Sequence, residues 1–160
     1  METLLQELTY GLHDRQQIAR IALRLLAAII IGGLIGIQRE RSRKAAGLRT
    51  HMLVCLGTAL FIITCSTAGM AFDAMSRVIQ GIITGIGFIG AGSILKRDAQ
   101  HIKGLTTAAG VWLTAAIGVA VGLGAIGIAL MGAVLAVIIL AFAQPLEEFV
   151  QKRRDESEER

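Results

Sequence analysis

From Leu105 to Ala143 the chain runs without one Asp, Glu, Lys or Arg. As a single helix that run would be roughly 58 Å long, about twice the ~30 Å hydrocarbon core of a bilayer. It must turn back on itself, and Gly122-Leu123-Gly124 is where the backbone has the freedom to do so. Three more apolar runs precede it. The spacing predicts an all-α membrane protein with five transmembrane helices, at about 19–37, 52–72, 78–95, 105–121 and 125–143.

The charges fit this reading. Only 18% of residues are charged, against ~25% for a soluble domain, and none of the 12 acidic residues lies inside a long apolar run. Mean hydropathy is +0.64. A soluble enzyme and a disordered chain are excluded. With two cysteines, so is a disulfide scaffold. Cys55 and Cys65 share one run, roughly 15 Å apart along a helix, and read as small core residues. With the N-terminus outside, the inner segments hold Arg39, Arg41, Arg43, Lys44, Arg49, Lys96, Arg97, Lys103 and the basic residues of the tail, twelve cations against four outside. That asymmetry selects N-out, C-in, and accounts for the net charge of +4 without nucleic acid as a partner. Arg24, near the outer end of the first run, is expected to snorkel.

Residues 1–18 carry Glu2, Glu7 and Asp14, so they are not a secretory signal; Leu4, Leu8 and Leu12 predict an amphipathic helix at the membrane surface. Residues 144–160 form a short charged cytoplasmic tail. Laying Gly33 on Gly90 and keeping that offset aligns the first half with the second without a gap, with eight identities over 31–60. The same offset places Gly47-Leu48-Arg49-Thr50 on Gly104-Leu105-Thr106-Thr107. This predicts a parallel repeat of two two-helix units plus a fifth helix.

Gly85-Ile86-Gly87-Phe88-Ile89-Gly90 fits a dinucleotide-binding pattern but lies inside an apolar run, where close helix packing is the better account. Small residues four apart at Gly32/Gly36, Gly81/Gly85 and Gly118/Gly122 predict close helix contacts, within the chain or in a homodimer or higher homo-oligomer. The cluster Gly81, Gly85, Gly87, Gly90 and Gly92 also makes the third helix a candidate for a break lining a cavity. A polar cluster of Arg39, Glu40, Arg49, Thr50 and His51 stands at the inner mouth. Thr50 and Thr107 are expected to cap the helices that start there, with Thr106 beside the second start. Those starts, with Arg49, would favour an anion or a partner carboxylate, and Glu40 is placed to pair with Arg39 or Arg49. His51 reads first as a packing residue. Thr84, Ser93, Thr106, Thr107 and Thr114 are placed to bond between helices. Asp73, Arg77 and Gln80 form an outer polar cluster in which Asp73 and Arg77 are spaced to pair. Trp112 lies inside the fourth run, in the core or facing lipid. No catalytic, metal-ligand or cofactor motif appears, which predicts a non-enzyme without a resident metal or cofactor.

Several stretches taken together resemble the MgtC/SapB family: Gly33-Leu34-Ile35-Gly36 with Gln38-Arg39-Glu40; Ala46-Gly47-Leu48-Arg49-Thr50-His51; Asp73, Arg77, Gln80 and Gly81; Gly85 to Gly92; and Gly104-Leu105-Thr106-Thr107-Ala108-Ala109 with Trp112. The resemblance covers about 21–125. It implies a bacterial inner-membrane protein linked to magnesium limitation and, in some pathogens, to survival inside host cells. It also implies action on other membrane proteins, as for many members. The family usually has Glu where this chain has Gln38, so a role requiring that charge does not carry over. Longer members have a soluble C-terminal domain, for which the tail after Pro145 is expected to be too short. Two functions compete: a regulator that binds other membrane proteins, and an ion transporter or channel, Mg²⁺ included, built on the Gly-rich third helix. Mg²⁺ prefers oxygen ligands with a carboxylate or two, and the predicted spans hold none.

Overall fold

The computed structural model describes Met1 and residues 14–98 and 101–158, with side chains described outside 95–98, 101 and 143–158. Five helices follow in order: α1 (Arg15–Arg41), α2 (Leu48–Thr67), α3 (Phe72–Gly92), α4 (Leu105–Gly122) and α5 (Ile126–Glu158). The first four are long and apolar enough to cross a membrane, and Ile126–Phe142 is a shorter apolar stretch within α5. The amphipathic segment with Leu4, Leu8 and Leu12 lies outside the described residues. The tail after Pro145 continues the α5 backbone helix to Glu158.

The fold is not purely helical. Leu95–Asp98 (β1) and His101–Lys103 (β2) pair antiparallel between α3 and α4, Leu95 opposite Lys103 and Lys96 opposite Ile102. Two short segments, each carrying lysine among its polar residues, pair their backbones here, where the apolar-run reading has only a loop.

The long charge-free run divides where its glycines allow. Gly124 adopts φ +87°, a conformation side chains disfavour, and the amide of Ala125 reaches back to the carbonyl of Ala120 at 2.9 Å. Arg24 closes the same helix end. Its Nη1 donates to the carbonyl of Gly122 at 2.9 Å. A cation on the last carbonyls of a helix satisfies orphan acceptors and complements the dipole.

α4 lies against all four other described helices. α2 packs on α1 and α4, α5 rests on α1 and α4, and α3 leans mainly on α4. The main core runs through Ala28, Ile31 and Ile35 of α1, Cys55 and Ala59 of α2, Ile117 and Val121 of α4, and Ala129, Ala133 and Ala136 of α5. Alanines on α5 and a cysteine on α2 keep the helices close. Both cysteines are free and buried.

The three glycine pairs have different fates. A Cβ at Gly32 would lie 2.7 Å from the His51 carbonyl oxygen, and one at Gly36 2.7 Å from Leu48 Cα, so this pair seats α1 on α2. Gly118 faces Thr58 and Cys55, and a Cβ at Gly122 would lie 2.9 Å from the Ala59 carbonyl oxygen, so this pair seats α4 on α2. Gly81 and Gly85 meet nothing within 4 Å, as do Gly87 and Gly92; only Gly90 of this cluster is buried, against Ala108 of α4. They do not break α3, which is one continuous helix from Phe72 to Gly92. Isolated glycines lower helix propensity by only about 1 kcal/mol each, too little to break a helix whose backbone bonds have no water to replace them. Gly81 and Gly85 line an apolar groove of about 670 Å³ between α2 and α3, with Leu53, Gly57, Phe61 and Ile89.

Candidate functional site

The polar residues of the inner mouth gather around the last turn of α1. Its carbonyls are closed by the loop that follows: Ser42 donates to Gln38, Arg43 to Glu40 and Lys44 to Arg39, with Arg43 at φ 51°. That closure fixes three consecutive side chains. Gln38 Nε2 donates to the Leu140 carbonyl on α5 at 3.0 Å, and lies 3.4 Å from Ser42 Oγ. Arg39 Nη2 donates to Thr107 Oγ1 on α4 at 2.7 Å. Glu40 Oε2 accepts from the amide of Leu48, the first residue of α2, at 3.0 Å.

Glu40 is therefore the cap of α2. Thr50 is not: it sits in the third position, and the N-cap is Gly47, whose side-chain position is filled by the Glu40 carboxylate. Thr107 likewise sits third in α4, behind an N-cap Gly104 at φ +98°. The pairing of Glu40 with Arg39 or Arg49 does not form; the carboxylate is spent on the helix start, where orphan amides and the dipole favour it. Arg49 is exposed, Thr50 half-buried and Thr106 exposed, so these three stand outside the buried cluster.

His51 is fully buried. Thr114 Oγ1 gives its hydrogen to the Gly110 carbonyl at 2.8 Å, and so accepts from His51 Nδ1–H at 2.7 Å. Nε2 of the ring is enclosed and has no partner among the described residues. Arg39 is only 3% exposed. Its Nε and the Gln38 Oε1 are enclosed without partners, and no carboxylate of the described residues pairs with the guanidinium. The site is thus a buried cation and a buried imidazole, tied by two threonines on α4. Thr114 and Gln38 belong to it. Thr114, placed by the sequence to bond between helices, does so with His51 of α2, a partner the sequence does not name.

Thr84 and Ser93 do not bond between helices. Their hydroxyls donate to the carbonyls of Gln80 at 3.0 Å and Gly90 at 2.7 Å, both on α3 itself. Asp73, Arg77 and Gln80 lie towards the start of α3, away from the Arg39 cluster. Asp73 is in the first turn, where a carboxylate complements the dipole, and its carbonyl accepts from Ser76 Oγ at 2.8 Å; among the described residues it forms no ion pair with Arg77. Trp112, 46% exposed, is on the outside of the bundle. Among the described residues no three His, Cys, Asp or Glu side chains come together as a metal site.

Comparison with known proteins follows the same stretches. The chain is 44% identical over 131 residues to YhiD of Escherichia coli (strain K12), whose name describes it as a candidate magnesium transporter; the match covers 76% of this chain and 60% of that one. It is 36% identical over 146 residues to SrpB of Synechococcus elongatus, covering 84% of this chain and 80% of that one. To MgtC of Salmonella typhimurium (strain 14028s / SGSC 2262) it is 42% identical over 113 residues, 71% of this chain and 48% of that one. The chain thus spans about half to three-fifths of the length of YhiD and MgtC. No solved structure matches it. The model of the MgtC family matches residues 25–149, and with these relatives it establishes that the chain belongs to the MgtC family and is a membrane protein.

Proposed function

We propose that this protein is a non-enzymatic, multi-pass protein of the bacterial inner membrane that serves adaptation to magnesium limitation by binding and regulating other membrane proteins. The family and the magnesium in the name of YhiD support the physiological setting. The observation that carries the choice of regulator over conduit is Arg39. A guanidinium 3% exposed, reaching from α1 to Thr107 of α4, holds positive charge at one mouth of the bundle. A divalent cation passing there would meet like charge in a low-dielectric site, and the Glu40 carboxylate at that mouth is already held on the start of α2.

In this reading five spans run N-out, C-in. Support comes from the four long apolar helices, the apolar stretch Ile126–Phe142, and the basic residues at the Arg39 end. The two-unit parallel repeat draws support from the helix starts. Arg15 and Phe72 open α1 and α3, Leu48 and Leu105 open α2 and α4, and both pairs keep the offset that lays Gly33 on Gly90. Gly47 and Gly104, matched by that offset, are both N-caps.

The test is Mg²⁺ flux in liposomes holding the purified protein alone, run beside purification from native membranes. The regulator reading expects flux equal to empty liposomes and a stoichiometric membrane-protein complex. Arg49→Ala, at an exposed position on the first turn of α2, is expected to weaken that complex without loss of folded protein. Mg²⁺ flux with this protein as the sole component overturns the reading.

A further inference from the structure

Two helices start at the Arg39 end of the bundle, and they are met by opposite charges. Both follow a glycine N-cap, which has no side chain to satisfy the first amides. At α2 the carboxylate of Glu40 fills that role. At α4 the side chain that arrives is Arg39, bonded through Nη2 to Thr107 in the first turn. A helix N-terminus carries partial positive charge, so a guanidinium there is the wrong sign unless something negative lies between them. Buried charges persist only with compensation. Yet Arg39 is 3% exposed, no described carboxylate pairs with it, and its Nε is enclosed without a partner.

The unused donors stand around one contact, that of Arg39 with Thr107. Arg39 Nε–H is one. Thr107 Oγ1 already accepts from Arg39, and its own hydrogen has no acceptor among the described residues. The first amides of α4 have no partner within the helix. Leu105 and Thr106 are exposed, so this first turn is open from outside even though the guanidinium is covered. A planar guanidinium fork, a hydroxyl and helix-start amides are the donors that recognise the several oxygens of a phosphate group.

We propose that Arg39, Thr107 and the first turn of α4 bind one phosphate group, supplied either by a free phosphate-bearing solute or by the headgroup of an anionic lipid. The site goes beyond the regulatory reading, since the flux experiment is decided whether or not phosphate binds.

The test uses the purified full chain in maltoside micelles, which carry no phosphate, in chloride buffer. One arm titrates inorganic phosphate by calorimetry. The other adds phosphatidylglycerol to the micelles, without free phosphate, and follows the melting temperature and the lipid retained in native mass spectrometry. The expected result is one saturable site and a raised melting temperature in at least one arm. Arg39→Gln should weaken binding about 10- to 100-fold, Thr107→Val less, and Arg39→Lys should recover part of the loss. Because Arg39→Gln removes a buried charge that no described carboxylate pairs, it should not lower the melting temperature in phosphate-free maltoside. Absence of saturable binding in both arms overturns the proposal. So does a fall in melting temperature for both Arg39→Gln and Asp98→Asn in every buffer, which would assign Arg39 to a carboxylate of its own chain.

Discussion

Adding one methyl group at Gly36 should separate two helices, while the same change at Gly85 should not. The Cβ of Gly36→Ala would sit 2.7 Å from Leu48 Cα and 3.0 Å from the Leu48 carbonyl oxygen. Ordinary contact begins at 3.4 Å, so the α1–α2 approach must open by about 0.7 Å. The obstacle is backbone, so no side-chain rotation relieves it. The opening would disturb the neighbouring turn, where Gly32 meets the His51 carbonyl and Glu40 reaches Leu48. Overpacking of this kind costs about 1–3 kcal/mol. At Gly85 nothing lies within 4 Å, and Ala is the better helix former by about 1 kcal/mol, so Gly85→Ala should be neutral or slightly stabilising. The two variants are compared by reversible denaturant unfolding in one detergent, with the wild type alongside. A gap of less than about 0.5 kcal/mol between them, or a larger loss at Gly85, refutes the assignment of Gly32/Gly36 to contact within the chain.

Three further substitutions probe the polar latches. Glu40→Ala should cost about 0.5–2 kcal/mol and speed hydrogen exchange at the Leu48 amide and its neighbours while leaving the start of α4 unchanged; uniform acceleration at both starts would show that Glu40 is not the α2 cap. Arg24→Ala, which strands the Gly122 carbonyl, should destabilise by about 1–3 kcal/mol in thermal melts, with Arg24→Lys recovering part of it. Thr114→Val leaves both nitrogens of a buried imidazole without partners and should cost about 1–3 kcal/mol, whereas Thr114→Ser should match the wild type; equal losses for both would point to packing instead of the hydrogen bond.

The helices were legible because apolar run length is dictated by the solvent. The charge-free run from Leu105 to Ala143 is too long to stay straight in one bilayer, and Gly124 at φ +87° is where it turns. The partners of the glycines were not legible. Gly32/Gly36, Gly81/Gly85 and Gly118/Gly122 have identical spacing, and spacing states only that a face is smooth. Whether another helix lies on that face depends on the path of the chain. Here α2 runs between α1 and α4 and takes two of the pairs, leaving the third on a groove. Thr50 and Thr107 misled for a related reason. Threonine outranks glycine only weakly as an N-cap. At Gly47 the Glu40 carboxylate occupies the place of a side chain, and at Gly104 a positive φ brings the backbone onto the Ser93 carbonyl, so glycine is chosen by a neighbouring element.

The site itself follows from one geometric property of α1 that a linear reading flattens. Successive residues on a helix point about 100° apart, so Gln38, Arg39 and Glu40 cannot share a face. A polar run at the end of a span reads as one cluster in sequence; on the helix it fans outward to three neighbours. Gln38 holds the α5 carbonyl of Leu140, Arg39 holds Thr107 of α4, and Glu40 holds the first amide of α2. This is why Glu40 does not neutralise its neighbour Arg39. The carboxylate and the guanidinium leave the backbone in different directions, and each ends at a different helix start. In a soluble protein water would absorb that separation. Here Arg39 ends enclosed among three helices, and its charge stays unmatched by any described carboxylate because the adjacent one is already bound to an amide.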